Sequence, residues 1–228
     1  MKRIIGLGAE SHAAVVIELI QQLGNFEVAE LLNDDDSIAD RDIGGIAVCG
    51  SSEAVPRLMK DQGIRVFFIG VGSVRSREKK RELFKYAISC GLTPHTVIDP
   101  GARVSKSVRV GGGGCILAGA VISSKASLAE NVTVNIGALV ESDCIIQAHT
   151  QLGAGCYVGS RVHIGEGAYI GTGAIVQPNV HIGDNVVIGP GAVISEDVAD
   201  GEEVRGARQI LAVQNPTRPQ PSHARKVQ

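Results

Sequence analysis

The sequence predicts a chain in two parts, an N-terminal α/β domain followed by a parallel β-helix of hexapeptide repeats. Three observations predict it. From Ile98 an aliphatic residue recurs at every sixth position, through Val104, Val110, Ile116 and Ile122 to Ile188 and Ile194, with no slip of register. Four residues after each stands something small or slender, such as Ala102, Gly114, Ala138, Cys144, Cys156 and Ala192. Before Ile98 that rhythm is absent, and strand-like and helix-like periods alternate instead.

In chain order, Lys2 to Gly8 reads as a buried strand running into a glycine turn. Val15, Val16, Leu19, Ile20 and Leu23 then fall at helical spacing and stop at Gly24. A second strand, Val28 to Leu32, leads into the polar cluster Asn33 to Asp36. Strand, turn, helix, strand is a Rossmann-like opening. Further strands are expected at Ile46 to Cys49 and Ile64 to Ile69, with helices over Ser52 to Gln62 and Arg75 to Cys90. The basic run Arg75, Arg77, Lys79, Lys80, Arg81 reads as a solvated helix face. These segments assign 1–92 to the α/β domain and 93–213 to the β-helix. The Pro-rich basic stretch 214–228 is expected to be a disordered tail.

A period of six has no place in an α-helix, whereas a short strand plus a tight turn uses it fully. Residues two apart on a strand share a face, so the small and the aliphatic residue of each hexad point inward together. Three hexads close one triangular coil, which makes residues 18 apart vertical neighbours. One corner then stacks Gly153-Ala154-Gly155, Gly171-Thr172-Gly173 and Gly189-Pro190-Gly191, and another contains Glu141-Ser142-Asp143 and Gly159-Ser160-Arg161. Glycine and asparagine recur there because tight turns require positive φ.

Composition narrows the class. A net charge of -2 over 228 residues gives no electrostatic footprint for nucleic acid. The longest apolar pieces, such as Val66 to Ile69, are too short to span a bilayer, and no signal peptide is evident, so a cytoplasmic protein without membrane insertion is expected. Five cysteines without CxxC pairs argue against a structural zinc site, and Cys144 and Cys156 fall at inward positions as reduced fillers. His163 and His181, 18 apart, stack on one outer face, but no third ligand follows at metal spacing, so no metal is expected.

The turn Gly6-x-Gly8-x-x-Ser11 is a dinucleotide fingerprint with serine in place of the third glycine. It still offers main-chain N–H groups at a helix start to a phosphate. Equally, it serves as a tight βα turn with no ligand.

Several stretches together resemble a known group: Gly6-Leu7-Gly8-Ala9-Glu10-Ser11-His12-Ala13, Leu32-Asn33-Asp34-Asp35, Ile43-Gly44-Gly45-Ile46, and Val134-Asn135 followed by Val140-Glu141-Ser142-Asp143-Cys144. The chain is similar to the left-handed β-helix acyltransferases, closest to the sialic acid O-acetyltransferase and amino-sugar N-acetyltransferase family. The resemblance implies a left-handed coil, a homotrimer with active sites between subunits, acetyl-CoA or another acyl-CoA as co-substrate, and a nucleotide-linked amino sugar as acceptor. It gives Gly8, Ser11, His12, Asn33 and Asp34 the nucleotide-sugar role. Glu10 and Ser11 stand where family members commonly have two glycines, and a carboxylate there repels a diphosphate unless it turns away.

The family's catalytic histidine precedes the acidic residue of the Glu-His-Asp-Cys stretch, and here that position is Ser142. A second family histidine corresponds to Gln151. A sugar hydroxyl normally needs a positioned base, whereas the neutral fraction of an amine attacks a thioester directly. The substitution therefore favours N-acylation, with Asp143 as proton acceptor or orienter and Asn135, Ser142 and Gln151 as polar contacts. A main-chain N–H near Ser160 is the expected oxyanion donor, and the corner carrying Gly171, Gly173, Gly189 and Gly191 the expected bed for the pantetheine arm. Two other readings stay open: a silent relative that binds a nucleotide sugar, and an O-acyltransferase that recruits another base, such as His149 of a neighbouring copy.

Overall fold

The structure, a computed structural model, describes residues 2–38 and 41–206. Residues 207–228, which include the expected tail 214–228, lie outside the described residues.

The first domain is a four-stranded parallel sheet in the order β2-β1-β5-β6. Strand β1 (Lys2–Leu7) leads through α1 (Ser11–Leu23) to β2 (Phe26–Leu32). Then come the short β3 (Asp42–Ile43) and β4 (Ile46–Ala47), α2 (Val55–Asp61), β5 (Val66–Ile69), α3 (Arg77–Ser89) and β6 (Thr93–Pro94). Helix α1 buries Ala13, Val16, Ile17 and Ile20 against one face of the sheet. On the other face, Val55 and Leu58 of α2 join Leu83, Phe84 and Ala87 of α3 over Ile5, Leu7 and Phe67. The strand expected over Ile46 to Cys49 is instead half of an antiparallel hairpin with β3, and only Val48 bridges to Leu31. Gly44 and Gly45, at φ 63° and 82°, fold the segment back before it can run along the sheet.

From Val97 the chain winds a parallel β-solenoid of two-residue strands in three sheets. Sheet I has seven strands, from Val97–Ile98 to Glu203–Val204; sheet II has six, from Arg103–Val104 to Val193–Ile194; sheet III has five, from Arg109–Val110 to His181–Ile182. Every pairing is offset by 18 residues within the regular coils, as Ile116 opposite Val134 and Val134 opposite Leu152. The inward pairs form one continuous core, with Ile116, Ala138, Val140, Cys144, Ile164, Ala174 and Ile188 fully buried. Cys115, Cys144 and Cys156 are buried and unpaired, and burial pushes the Cys115 and Cys156 thiols up to about 12, so they serve as apolar filler. At the last coils, carboxylates cap the edge: Asp197 Oδ1 accepts from the His181 N–H at 2.7 Å and Asp200 Oδ1 from the Asp184 N–H at 2.8 Å.

The domain seats on the solenoid through α1 and α3. Val97, Cys115 and Leu117 of the first coils share the core of α1. The basic run at the start of α3 departs from the solvated face its composition predicts. Lys80 is 2% exposed and donates to Asn131 and Thr133, and Arg81 reaches Asn185 Oδ1 at 2.8 Å and Glu166 at 3.5 Å. These cations cross to the solenoid, a partner that lies fifty and more residues away in sequence.

Candidate functional site

The strand order reverses between β2-β1 and β5-β6, and open α/β sheets bind ligands outside the carboxyl ends of the strands at such a point. The turns after β1 and β5 meet there. Gly8 takes φ 88°, and a Cβ on it would stand 2.2 Å from Val71 Cγ2. A Cβ on Gly70 would stand 2.2 Å from the Gly8 carbonyl oxygen, so only glycine lets these two turns touch. Gly6, the first glycine of the fingerprint, serves packing: Leu31 and Phe68 fill the space its side chain would need.

Outside the turns lies a cleft of about 260 Å³ lined by Ser11, His12 and Val15 of α1, Gly72 and Ser73 after β5, and Leu117, Asn135 and Ile136 of the solenoid. Burial, with the Lys80 ammonium in support, holds His12 down to about 4. The imidazole is therefore neutral at pH 7 and acts as a hydrogen-bonding group, not as a cation. Glu10 turns away from the cleft mouth: its carboxylate accepts from the Gly72 and Ser73 N–H groups at 3.2 and 3.1 Å and from the Ser76 hydroxyl. These hydrogen bonds outweigh its burial and hold it below the usual carboxylate range. The Glu10 carboxylate is thus taken up by donors of the chain itself.

Other expected residues are placed apart. Asn33 is buried and accepts from Lys79 Nζ at 3.4 Å, and Asp34 Oδ1 accepts from the Ser52 N–H and hydroxyl at 2.7 and 2.8 Å, fixing the start of the segment leading into α2. Asn135 stands at the corner between sheets I and II, in the cleft. Ser142 and Asp143 stand at the next corner, between sheets II and III, so one sheet separates them from Asn135 within a chain. Asp143 is exposed at φ 59°, a turn conformation Asp tolerates. Gln151 lies outward on sheet I between Thr133 and Tyr169, is 3% exposed, and neither amide atom has a partner among the described residues.

Two expectations are corrected by the packing. The Ser160 N–H is not free for an oxyanion, because Glu141 Oε2 accepts it at 2.9 Å while Glu141 Oε1 accepts from the Tyr157 hydroxyl at 2.7 Å. His149 is not available as a base recruited from a neighbouring copy. It is 5% exposed, its Nδ1 is bonded to Asn131 Nδ2 at 2.9 Å, and Phe84 of α3 packs on its ring with centroids 5.5 Å apart. The glycine corner divides in two. A Cβ on Gly171 or Gly189 would stand 2.6 and 2.9 Å from the backbone of the next coil, whereas Gly173 and Gly191 face open space at φ 64° and 66°. His163 and His181 stack with centroids 4.5 Å apart, and no group of three metal-ligating side chains occurs among the described residues.

The sequence did not single out Gly72, Ser73, Leu117 or Ile136. A signal for the first two was present: Gly70-Val71-Gly72-Ser73 follows β5 as Gly6-Leu7-Gly8 closes β1, a second glycine turn at the end of a buried strand.

An α/β domain docked on a parallel β-solenoid, with a cleft between them, is the build of a hexapeptide-repeat transferase. Residues 161–196 match the family described as bacterial transferase hexapeptide (six repeats), and residues 3–83 match the PglD N-terminal domain. Among solved structures, a mutant of perosamine N-acetyltransferase from Caulobacter crescentus, in complex with CoA and GDP-perosamine, is 32% identical with a TM-score of 0.83, over 90% of this chain and 94% of that one. PerB from Caulobacter crescentus, in complex with the same two molecules, is 34% identical with a TM-score of 0.79, over 88% and 92%. The acetyltransferase domain of PglB from Neisseria gonorrhoeae is 30% identical with a TM-score of 0.80, over 90% and 97%. No curated protein matches the chain. The chain belongs to the hexapeptide-repeat family of nucleotide-amino-sugar acetyltransferases. No helix among the described residues is long and apolar enough to cross a membrane.

Proposed function

We propose that the protein transfers an acyl group from acyl-CoA, acetyl-CoA first among them, to the amine of a nucleotide-linked amino sugar, without an imidazole base. The observation that carries this is the cleft in which the βα turn of the α/β domain meets Asn135 of the solenoid. Ser11 and neutral His12 supply hydrogen-bond donors for the diphosphate beside the Gly72–Ser73 loop, with Gly8 shaping the turn and Asn33 and Asp34 at the end of the neighbouring strand. The relatives crystallised with CoA and GDP-perosamine support the substrate classes.

Sheet II presents an outward column of Val121, Leu139, Tyr157, Ile175 and Val193, the last two 41% and 59% exposed. An apolar face of this kind is covered by another copy in a closed cyclic assembly. We place the homotrimer contact there. Covering sheet II brings the Ser142–Asp143 corner of one subunit toward the Asn135 corner and cleft of the next, which reunites residues that one chain holds apart. The acyl-CoA then lies between subunits along the open Gly173 and Gly191 surface.

In the reaction the neutral amine attacks the thioester carbonyl, a C–N bond forms, and the C–S bond breaks with CoA leaving as thiolate. Asp143, exposed at the corner, orients the amine and takes the proton that the nitrogen sheds, and Ser142 hydrogen-bonds in place of an imidazole. An alternative reading is a relative that binds nucleotide sugar without turnover. Ser142 and the engaged Ser160 N–H favour it.

The test is release of CoA thiol from acetyl-CoA with UDP-, dTDP- and GDP-linked 4-amino sugars. Turnover by the natural chain that falls with Asp143→Asn supports the proposal. Binding without turnover, with activity gained by Ser142→His, establishes the silent relative instead.

A further inference from the structure

Glu10 precedes α1, yet its carboxylate does not cap that helix. It crosses to the loop after β5, a partner more than sixty residues on. Two consecutive main-chain N–H groups, from Gly72 and Ser73, converge on Oε2, and the Ser76 hydroxyl donates to Oε1. Ser73 and Ser76 hydroxyls are themselves 2.7 Å apart, which locks the loop into this shape. Consecutive N–H groups pointing into one concavity form an anion nest, and such a nest accepts carboxylate and phosphoryl oxygens alike.

The nest belongs to the cleft wall, since Gly72 and Ser73 line the cleft. A Cβ on Gly72 would stand 2.6 Å from His12 Cγ, so the loop packs directly against the imidazole. A diphosphate entering here finds these donors already engaged and the first turn of α1 as the remaining main-chain donor. With the cleft taken as the acceptor site, as proposed above, we propose that the Gly72–Ser76 loop is an oxyanion nest and that Glu10 fills it from within the chain. Glu10 is then the residue setting how tightly the cleft holds a diphosphate.

The experiment uses inorganic pyrophosphate as probe, measured by calorimetry on the full chain without sugar or acyl-CoA, so its outcome is independent of whether acyl transfer occurs. Glu10→Ala is expected to bind pyrophosphate at least tenfold more tightly than the natural chain. Formate, which replaces the missing carboxylate, is expected to raise the melting temperature of Glu10→Ala alone and to compete with pyrophosphate. Glu10→Gln keeps the side-chain shape and removes the charge, and should tighten pyrophosphate at least threefold even where Glu10→Ala fails to fold. Folded variants with pyrophosphate affinity within twofold of the natural chain, or formate that stabilises without competing, would overturn the proposal.

Discussion

Lys80 Nζ donates to the Asn131 carbonyl at 2.8 Å and to Thr133 Oγ1 at 2.9 Å, so one buried side chain of α3 joins the α/β domain to the solenoid. Both partners are neutral, and burial brings the ammonium down to about 7. The unfolded chain holds that proton up to the ordinary lysine range near ~10.4. Between these values the unfolded state binds more protons, so stability rises with pH from about 7 toward 10. Denaturant midpoints should climb over that window, and Lys80→Met should flatten the climb.

Acid acts on the same interface through histidine. His149 and His12 are both held down to about 4, chiefly by burial and then by Lys80. Each is neutral in the folded state and protonated in the unfolded state between pH ~6.5 and 4, so stability is lost as pH falls through that window. Melting temperatures at pH 7 and pH 4.5 measure the loss. His149→Asn, which tolerates the φ of 64° at that position, should reduce the acid loss and leave kcat within twofold.

The altered corner predicts the form of the pH–rate profile. With the amine attacking as its own neutral fraction, log kcat/KM should rise with unit slope through neutrality until the amine's own pKa, with no break near ~6.5. Ser142→His should introduce that break. Asp143→Asn should lower kcat on the order of 10²-fold if the carboxylate takes the proton.

Two glycines at one corner should differ in how they fail. Gly171→Ala drives a methyl into the main chain at Gly189 and Pro190, 2.6 Å away, and should cost about 3 kcal/mol. Gly173→Ala meets nothing within 4 Å and loses only what its positive φ demands, about 1 kcal/mol. Urea unfolding compares them, and KM for acetyl-CoA should rise for Gly173→Ala if that surface holds the pantetheine arm.

The solenoid was legible because its hexad is a local rule: each inward pair, such as Cys144 with Ile146, is set by strand alternation and repeats every coil. The α/β segment was legible to the level of its helices. What escaped was decided by docking. Lys80 sits in a run of five cations, and nothing within α3 says which one faces another domain. Glu10 looked like a hazard to a diphosphate because its partners arrive from the end of β5, beyond any local window. His149 looked free because α3, and Phe84 on it, is missing from any reading of the coil alone. The 18-residue stacking contains the separation of Asn135 from Ser142, which grouping both as contacts of one reaction passes over, and the engagement of Ser160 by Glu141 depends on side-chain reach between coils.

The final coils also decide how the chain meets other copies of itself. Parallel strands stacked without limit make a fibre, and the open edge of one solenoid is a template for the next. Here that edge is lined by exposed Glu196, Asp197, Asp200, Glu202 and Glu203, with Asp197 and Asp200 already holding the N–H groups of His181 and Asp184. A second copy presenting this same edge would bring like charges together, over the His181 and Asp184 N–H groups that Asp197 and Asp200 already hold. The same carboxylates that finish the last turn thus close two of its main-chain donors to any further strand.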